Sequence, residues 1–334
     1  MQNPVTGRRR FLVNSGYAAL ALAAYAGSPG ISRAQDAYPS RLIRLIVPFA
    51  AGSATDVMTR HLQQHMSTTL GQQVVIDNRA GANGVVGAQA VMHAAPDGYT
   101  LCMGSTSSHS IVAAMRPNSM PYDIVKDFTP IGLAAKSANL IAVHPSVPVH
   151  NLQELIEYSN SLPKGLDFAS SPVGSSNNLA GQMLNLKGAK LVNVPYNNIS
   201  QGITDVLAGH VPVLIYTVAL LPHIRENRLR GIATTSEERL VQAPDLPTAI
   251  EQGVPGMVAN AWFGMFGPAQ LPQPIVDKLS AALRDAINDP TVNSLLIEAG
   301  LAPSYLSPRE MADFVASDIA MWKDVVTRAG VETH

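Results

Sequence analysis

The chain has 334 residues, 46% of them hydrophobic and 14% charged, with a formal net charge of −1. That balance excludes a disordered chain, supplies apolar material for more than one core, and gives no electrostatic reason to expect a nucleic-acid partner. The single cysteine, Cys102, excludes an internal disulfide and a cysteine-based metal cluster; it reads as a small buried hydrophobe.

The chain opens with a basic stretch, Arg8-Arg9-Arg10, then an apolar run from about Tyr17 to Ala26 and a break at Gly27-Ser28-Pro29-Gly30. Ser32-Arg33-Ala34 places small residues at −3 and −1 of a cleavage point, so residues 1–34 read as a leader removed on export. The run is too short for a permanent membrane anchor. Arg8-Arg9-Arg10-Phe11-Leu12 fits a twin-arginine signal, with a general secretory signal as the alternative; both routes end in the periplasm.

From Tyr38-Pro39 onward, short β-rich runs alternate with amphipathic segments. Leu42 to Val47 predicts a strand and Asp56 to Leu70 a helix, with Met58, Leu62, Met66 and Leu70 on one stripe and Gly71 as its stop. Val74-Val75-Ile76 is the next strand, Gly81 to Gly84 a turn into a helix through about Ala94, and Thr100 to Met103 a third strand. The alternation continues through a capping-box start at Asn151 with Glu154 and a strand ending at Phe168-Ala169. A helix opens near Ser175-Ser176, and strands follow at Val192–Val194, Val213–Tyr216 and Gly231–Ala233. Near the end the chain turns helical. Asp289-Pro290 caps one helix, and Ser307-Pro308-Arg309-Glu310 starts the last, with Met311, Val315, Ile319, Trp322 and Val326 on its buried face. Such alternation predicts parallel-rich sheets covered by helices, in two lobes joined by short crossovers.

Three loops follow strands and are rich in small and hydroxylated residues. The first, Pro48 to Asp56, contains Phe49, Ala50, Ser53, Thr55 and Asp56. The second runs from Gly104 to Ser108 and contains Ser105 and Ser107; the third runs from Ser170 to Asn177 and contains Ser171, Gly174, Ser175 and Ser176. Each by itself reads equally as a capped turn. Together, at the carboxyl ends of strands where α/β sheets bind ligands, they predict one anion-receiving cleft built from hydroxyls and helix N–H groups. On that reading Ser175→Ala weakens binding and leaves the ligand-free fold nearly intact.

Other motifs read as structural. Gly81 to Gly87 is G-x-x-G-x-x-G without the dinucleotide spacing or a Walker lysine, so a glycine turn is expected. His61 and His65 have the i, i+4 spacing of a metalloprotease helix, but Leu62 stands where the glutamate belongs. No G-x-S-x-G occurs. No metal site and no cofactor are expected.

An ordered set of segments resembles the tripartite tricarboxylate transporter receptor family, the Bug extracytoplasmic receptors, over essentially the whole mature chain. The set comprises Tyr38-Pro39, Val47 to Asp56, Gly71-Gln72, Asn78-Arg79-Ala80-Gly81-Ala82 with Gly84, and Pro96 to Thr100. Further on it continues with the Ser/Gly segment to Ser176, Val194-Pro195-Tyr196, Pro247-Thr248 with Glu251 and Gly253, Trp262 with Gly264 and Pro268, and Trp322. The resemblance implies a type II periplasmic-binding-protein fold. Residues 35–137 and 236–334 would form the first lobe and 138–235 the second, with a ligand between them. It adds Tyr196 to the expected contacts and implies integral-membrane permease subunits as partners. The chain departs from the family pattern at Ser53, usually glycine, at Asn197-Asn198, usually Lys-Gly, and at Tyr216, often aspartate. The last two remove charge and favour a mono- or dicarboxylate, aromatic acids included, over an amino acid.

The expectation is therefore a non-enzymatic periplasmic receptor for a small organic carboxylate. A periplasmic enzyme on the same scaffold is the alternative, but it needs a general base, and His109 is the sole histidine beside the favoured loops. A sensor signalling to a membrane partner is the second alternative.

Overall fold

The computed structural model describes residues 38–331. The expected leader and its cleavage point at Ala34 lie outside the described residues.

Two mixed sheets form the framework. The first contains β1 (Ile43–Val47), β2 (Val74–Asn78), β3 (Thr100–Ser105), β4 (Phe128–Ser137), β10 (Ala261–Pro268) and β11 (Ala302–Leu306), in the order β11-β4-β10-β3-β1-β2. β1 runs parallel to β2 and β3, and β10 runs antiparallel between β3 and β4. The second sheet contains β5 (Leu140–Val143), β6 (Leu166–Ser170), β7 (Leu191–Pro195), β8 (Val213–Tyr216) and β9 (Arg230–Thr234), in the order β7-β6-β8-β5-β9. Here β6 is parallel to both β7 and β8. The helices are α1 (Ala54–Leu70), α2 (Val85–Met92), α3 (Val112–Met115), α4 (Leu152–Ser161), α5 (Ser176–Leu186), α6 (Ile199–Leu207), α7 (Leu221–Arg225), α8 (Gln273–Asn288), α9 (Pro290–Glu298) and α10 (Pro308–Ala329).

Local sequence explains these elements. In β1, Ile43, Leu45, Ile46 and Val47 are all buried, as a strand covered on both faces requires. The α1 stripe of Met58, Leu62, Met66 and Leu70 is buried, and Gly71 closes the helix in the left-handed region at φ 67°. Asn151, Asp289 and Ser307 cap their helices as their spacing predicts, the last with a full capping box to Glu310.

The chain crosses between sheets twice, after Ser137 and before Ala261. The expected boundary after 235 falls short of where the packing changes: Ala249, Val254, Met257 and Ala259 still sit in the second core with Ile141 and Phe168. One bridge, Thr234 to Thr248, and scattered hydrogen bonds such as Ala259 N–H to the Thr235 carbonyl and Gln252 Nε2 to the Ile232 carbonyl hold this segment without a strand period that a sequence reading would register. The last helix serves both cores. Met311 and Val315 of α10 pack in the first, and Trp322, Val325 and Val326 in the second.

Candidate functional site

The loop between β1 and α1 is held by Asp56. Its buried carboxylate accepts from the Gly52 N–H, Arg60 Nε and Asn78 Nδ2, each at 2.9 Å. Burial works to raise its pKa, but the donors from Arg60, Gly52 and Asn78 outweigh it and hold the group at about 2. Asn78, at the end of β2, also donates to the Phe49 carbonyl at 3.1 Å. Asp56 therefore positions the loop, its charge already satisfied by protein donors. Ser53 Oγ caps α1 by accepting the Asp56 N–H at 3.3 Å. Ala50 is exposed, Phe49 and Ser53 are half-buried, and Thr55 is buried.

After β3 the chain enters a π-helical turn, Thr106–Ile111, absent from the sequence expectation. Ser105 N–H donates to Ser108 Oγ at 3.0 Å, and Ser108 Oγ lies 2.8 Å from His109 Nδ1. Thr106 Oγ1 accepts the Trp262 N–H at 2.6 Å, pinning the turn to β10. Ser105 is buried and Ser107 half-buried. His109 is fully buried, stacked on Phe266 at 4.2 Å between the rings of Phe128 and Trp262. Burial pushes its pKa down to about 3, so it is neutral and shut away from solvent. That is a packing histidine, a poor candidate for the general base an enzyme would need.

After β6, Ser175 caps α5, accepting the Asn178 N–H at 3.3 Å and donating to Asn177 Oδ1 at 2.8 Å. Asn177 reaches back to the loop, donating to Ser171 Oγ at 3.1 Å and accepting the Ser171 N–H at 3.0 Å. Asn178 Oδ1 accepts the Gly174 N–H at 3.2 Å. The sequence reading ended this loop at Asn177 without giving it a role and left out Asn178, although both directly follow the serine pair. The cap corrects one expectation: Ser175→Ala cannot leave the fold untouched, since losing a serine cap costs about 1 kcal/mol. At the start of α5 the N–H groups of Ser176 and Asn177, both buried residues, have no protein partner among the described residues. The N–H groups of Ala54, an exposed residue, and Thr55, a buried one, at the start of α1 also have no protein partner among the described residues.

The glycine turn joins these loops. A Cβ on Gly84 would come 2.5 Å from Ser108 Cβ and 3.4 Å from the Phe49 ring, so the turn is wedged between the first two loops. A Cβ on Gly174 would lie 2.5 Å from Met115 Sδ and 3.9 Å from Asn83 Nδ2, so the third loop meets the same turn. Phe49, Ser108 and the Gly174 loop thus lie close to the same glycine turn. Tyr196 stands at the end of β7, one strand further out. Its hydroxyl is committed to Asp205 Oδ2 at 2.8 Å, and its N–H to the Ser170 carbonyl at 2.9 Å.

Elsewhere, a cavity of about 290 Å³ opens beside the crossovers, lined by Lys136, Asn260, Trp262, Phe314 and Asp318 among others. Among the described residues no group of three His, Cys, Asp or Glu is placed to hold a metal ion. Cys102 is buried, which pushes its thiol pKa up.

Two α/β lobes joined by two crossovers, with strand-end loops of both close to one glycine turn, define the periplasmic solute-binding class of fold. The chain belongs to the tripartite tricarboxylate transporter family of receptors, whose sequence profile matches residues 58–331. It is 33% identical to protein BugT of Bordetella pertussis over 299 residues, 89% of this chain and 92% of that one. Among solved structures it resembles MatC from Rhodopseudomonas palustris with bound malate, at 32% identity and a TM-score of 0.72, covering 86% of this chain and 100% of that one. It also resembles R. palustris Rpa4515 with adipate, at 32% identity and a TM-score of 0.74, covering 88% and 98%. The family is one of solute-binding receptors rather than enzymes.

Proposed function

We propose that the protein is exported to the periplasm, with cleavage near Ala34, and there captures a small organic carboxylate for delivery to the permease subunits of a tripartite tricarboxylate-type transporter. The observation that carries this reading is the start of α5, where the N–H groups of two buried residues, Ser176 and Asn177, lack a protein partner among the described residues. Buried donors at a helix N-terminus favour an anion both as hydrogen-bond partners and through the helix dipole. Ser53 and Thr55 of the first loop, and Ser105 and Ser107 of the second, supply the opposing polar wall. Malate in MatC and adipate in Rpa4515 fit the same ligand class. In this arrangement Asp56 holds the first loop in place, while Phe49, Ala50, Ser171, Gly174 and Tyr196 shape the walls.

The test is native mass spectrometry of the purified protein, followed by calorimetry with malate, adipate, their monocarboxylate analogues and aromatic acids. Stoichiometric binding without turnover is expected. Conversion of the bound compound to product would establish an enzyme, and failure to bind any carboxylate would remove the proposal.

A further inference from the structure

We propose that Val218 and Gly300 form a steric stop between the two lobes, which sets how far the lobes can turn about the crossovers. The inference is independent of which solute the protein takes. Val218 follows β8 of the second sheet, and Gly300 lies between α9 and β11, the edge strand of the first. Gly300 closes α9. At φ 82° it donates its N–H to the Ile297 carbonyl at 2.9 Å, and the Leu301 N–H donates to the Leu296 carbonyl at 2.9 Å. The helix end by itself therefore favours glycine here. A second requirement comes from the other lobe. A Cβ on Gly300 would overlap Val218 Cγ2, while Val218 Cβ would stand at an ordinary contact distance of 3.5 Å. One methyl group of the second lobe thus fills the space in which any other residue of the first would place its side chain.

The place of this contact gives it leverage. Ser137, the last residue of β4 before the chain crosses, donates its hydroxyl to the Gly300 carbonyl at 3.4 Å, and Ala302 pairs with Lys136. Gly300 therefore sits beside a crossover, where a small displacement turns a whole lobe. Gln242 adds a polar tie on the same side, its Nε2 donating to the Ile297 carbonyl at 3.1 Å. Its neighbours Leu240 and Ala243 pack in the second sheet's core, so this bond too runs from lobe to lobe. Around these contacts the lobes stand apart. A cavity of about 580 Å³ lies between Glu238, Arg239 and Val241 on one side and Asn293, Ile297 and Pro303 on the other. Apolar groups already in contact resist further approach steeply, whereas an open cavity does not. Val218 against Gly300 is therefore where closure on this side is arrested.

The test measures the distance between lobes in the ligand-free protein. Spin labels are attached to Gln64→Cys in α1 and Glu157→Cys in α4, both exposed positions, while the native Cys102 is buried and out of reach of the label. Double electron–electron resonance on this background compares the parent with Gly300→Ala, Gly300→Ala/Val218→Ala and Gly253→Ala. The last is the control for backbone strain: Gly253 has the same φ of 82°, and a Cβ there would meet nothing within 4 Å. Gly300→Ala should displace the distance distribution by a few ångströms. The double variant, which removes the obstructing methyl, should restore it, and Gly253→Ala should match the parent. An unmoved distance in folded Gly300→Ala would overturn the stop, as would a displacement that survives in the double variant. An equal displacement in Gly253→Ala would overturn it as well, since strain would then be the cause. If Gly300→Ala does not fold, recovery of folding in the double variant supports the steric contact, and failure to recover refutes it.

Discussion

Replacing Ser175 with aspartate separates the two tasks its hydroxyl performs. As a cap, Ser175 accepts the Asn178 N–H, and aspartate is an equally good capping residue at that position. The added negative charge at the start of α5 gains from the helix dipole about 0.3–1 kcal/mol. Against this, the bond from Ser175 Oγ to Asn177 Oδ1 is lost, worth about 0.5–1.5 kcal/mol. The terms nearly cancel, so the ligand-free protein should melt close to wild type. Binding responds quite differently. Two carboxylates about 5 Å apart at an effective dielectric of about 20 repel by about 3 kcal/mol, which is on the order of a hundred-fold in affinity. Differential scanning calorimetry without ligand and titration calorimetry with adipate measure the two effects on one preparation. A folded Ser175→Asp protein that binds within two-fold of wild type would show that no anion sits at the start of α5. Ser175→Ala is the weaker probe, since it loses the cap and the contact together.

Asp56→Asn isolates a carboxylate whose folded pKa is depressed to about 2. Its stabilisation is present above the unfolded value near 4 and is lost as pH falls through about 2. Denaturant melts of wild type and variant should therefore converge over that window by about 1–2 kcal/mol, allowing for the exposed Arg60 partner; parallel curves would refute the assignment. Asp318 should behave with the opposite sign. Burial raises its pKa against the pull of Trp262, Ser110, Trp322 and Lys136, so wild type should lose stability relative to Asp318→Asn as pH rises through and above the ordinary carboxylate range. A difference independent of pH would count against it. Gly84→Ala forces a Cβ to within 2.5 Å of Ser108 Cβ at φ 94°, and should cost about 1–3 kcal/mol in thermal melts; a loss under about 0.5 kcal/mol would mean the turn is not wedged.

What the sequence made legible was local. The α1 stripe, the caps at Asn151, Asp289 and Ser307, and the strand-to-loop position of Ser175 all follow from short-range spacing. Asp56 shows the limit. Its Arg60 partner is at i+4 and readable, but Asn78 lies 22 residues away and is brought to it by parallel pairing of β1 with β2. Without Asn78, Asp56 reads as a ligand contact; with it, the carboxylate is a loop anchor. β4 and β10 lack a clean alternation because their pairing slips register between Phe263 and Gly264 and again between Met265 and Phe266. His109 sits among hydroxylated neighbours in sequence, yet rings from Phe128, Trp262 and Phe266 bury it. Nothing in the residues of the glycine turn reveals that the Gly174 loop lies close to Asn83.

The same long-range packing accounts for a buried carboxylate on the last helix. Asp318 of α10 accepts the Trp262 indole N–H at 2.7 Å, and the Ser110 hydroxyl and Trp322 indole also favour its charged form. Trp262 belongs to β10, Ser110 to the π-helical turn that carries Ser107, and Trp322 to the stretch of α10 packed in the second core. One hydrogen bond from Trp262 to Asp318 thus ties β10 of the first sheet to the helix whose residues pack in both cores. An apolar residue there could fill the space but would leave the Trp262 N–H without its acceptor, a loss of about 1–3 kcal/mol for a buried donor. The directional bond also fixes the rotation of α10 about its axis, which apolar packing alone specifies less sharply. On the proposed reading, in which loops of both lobes contact the ligand, a helix packed in both cores would hold those loops in register.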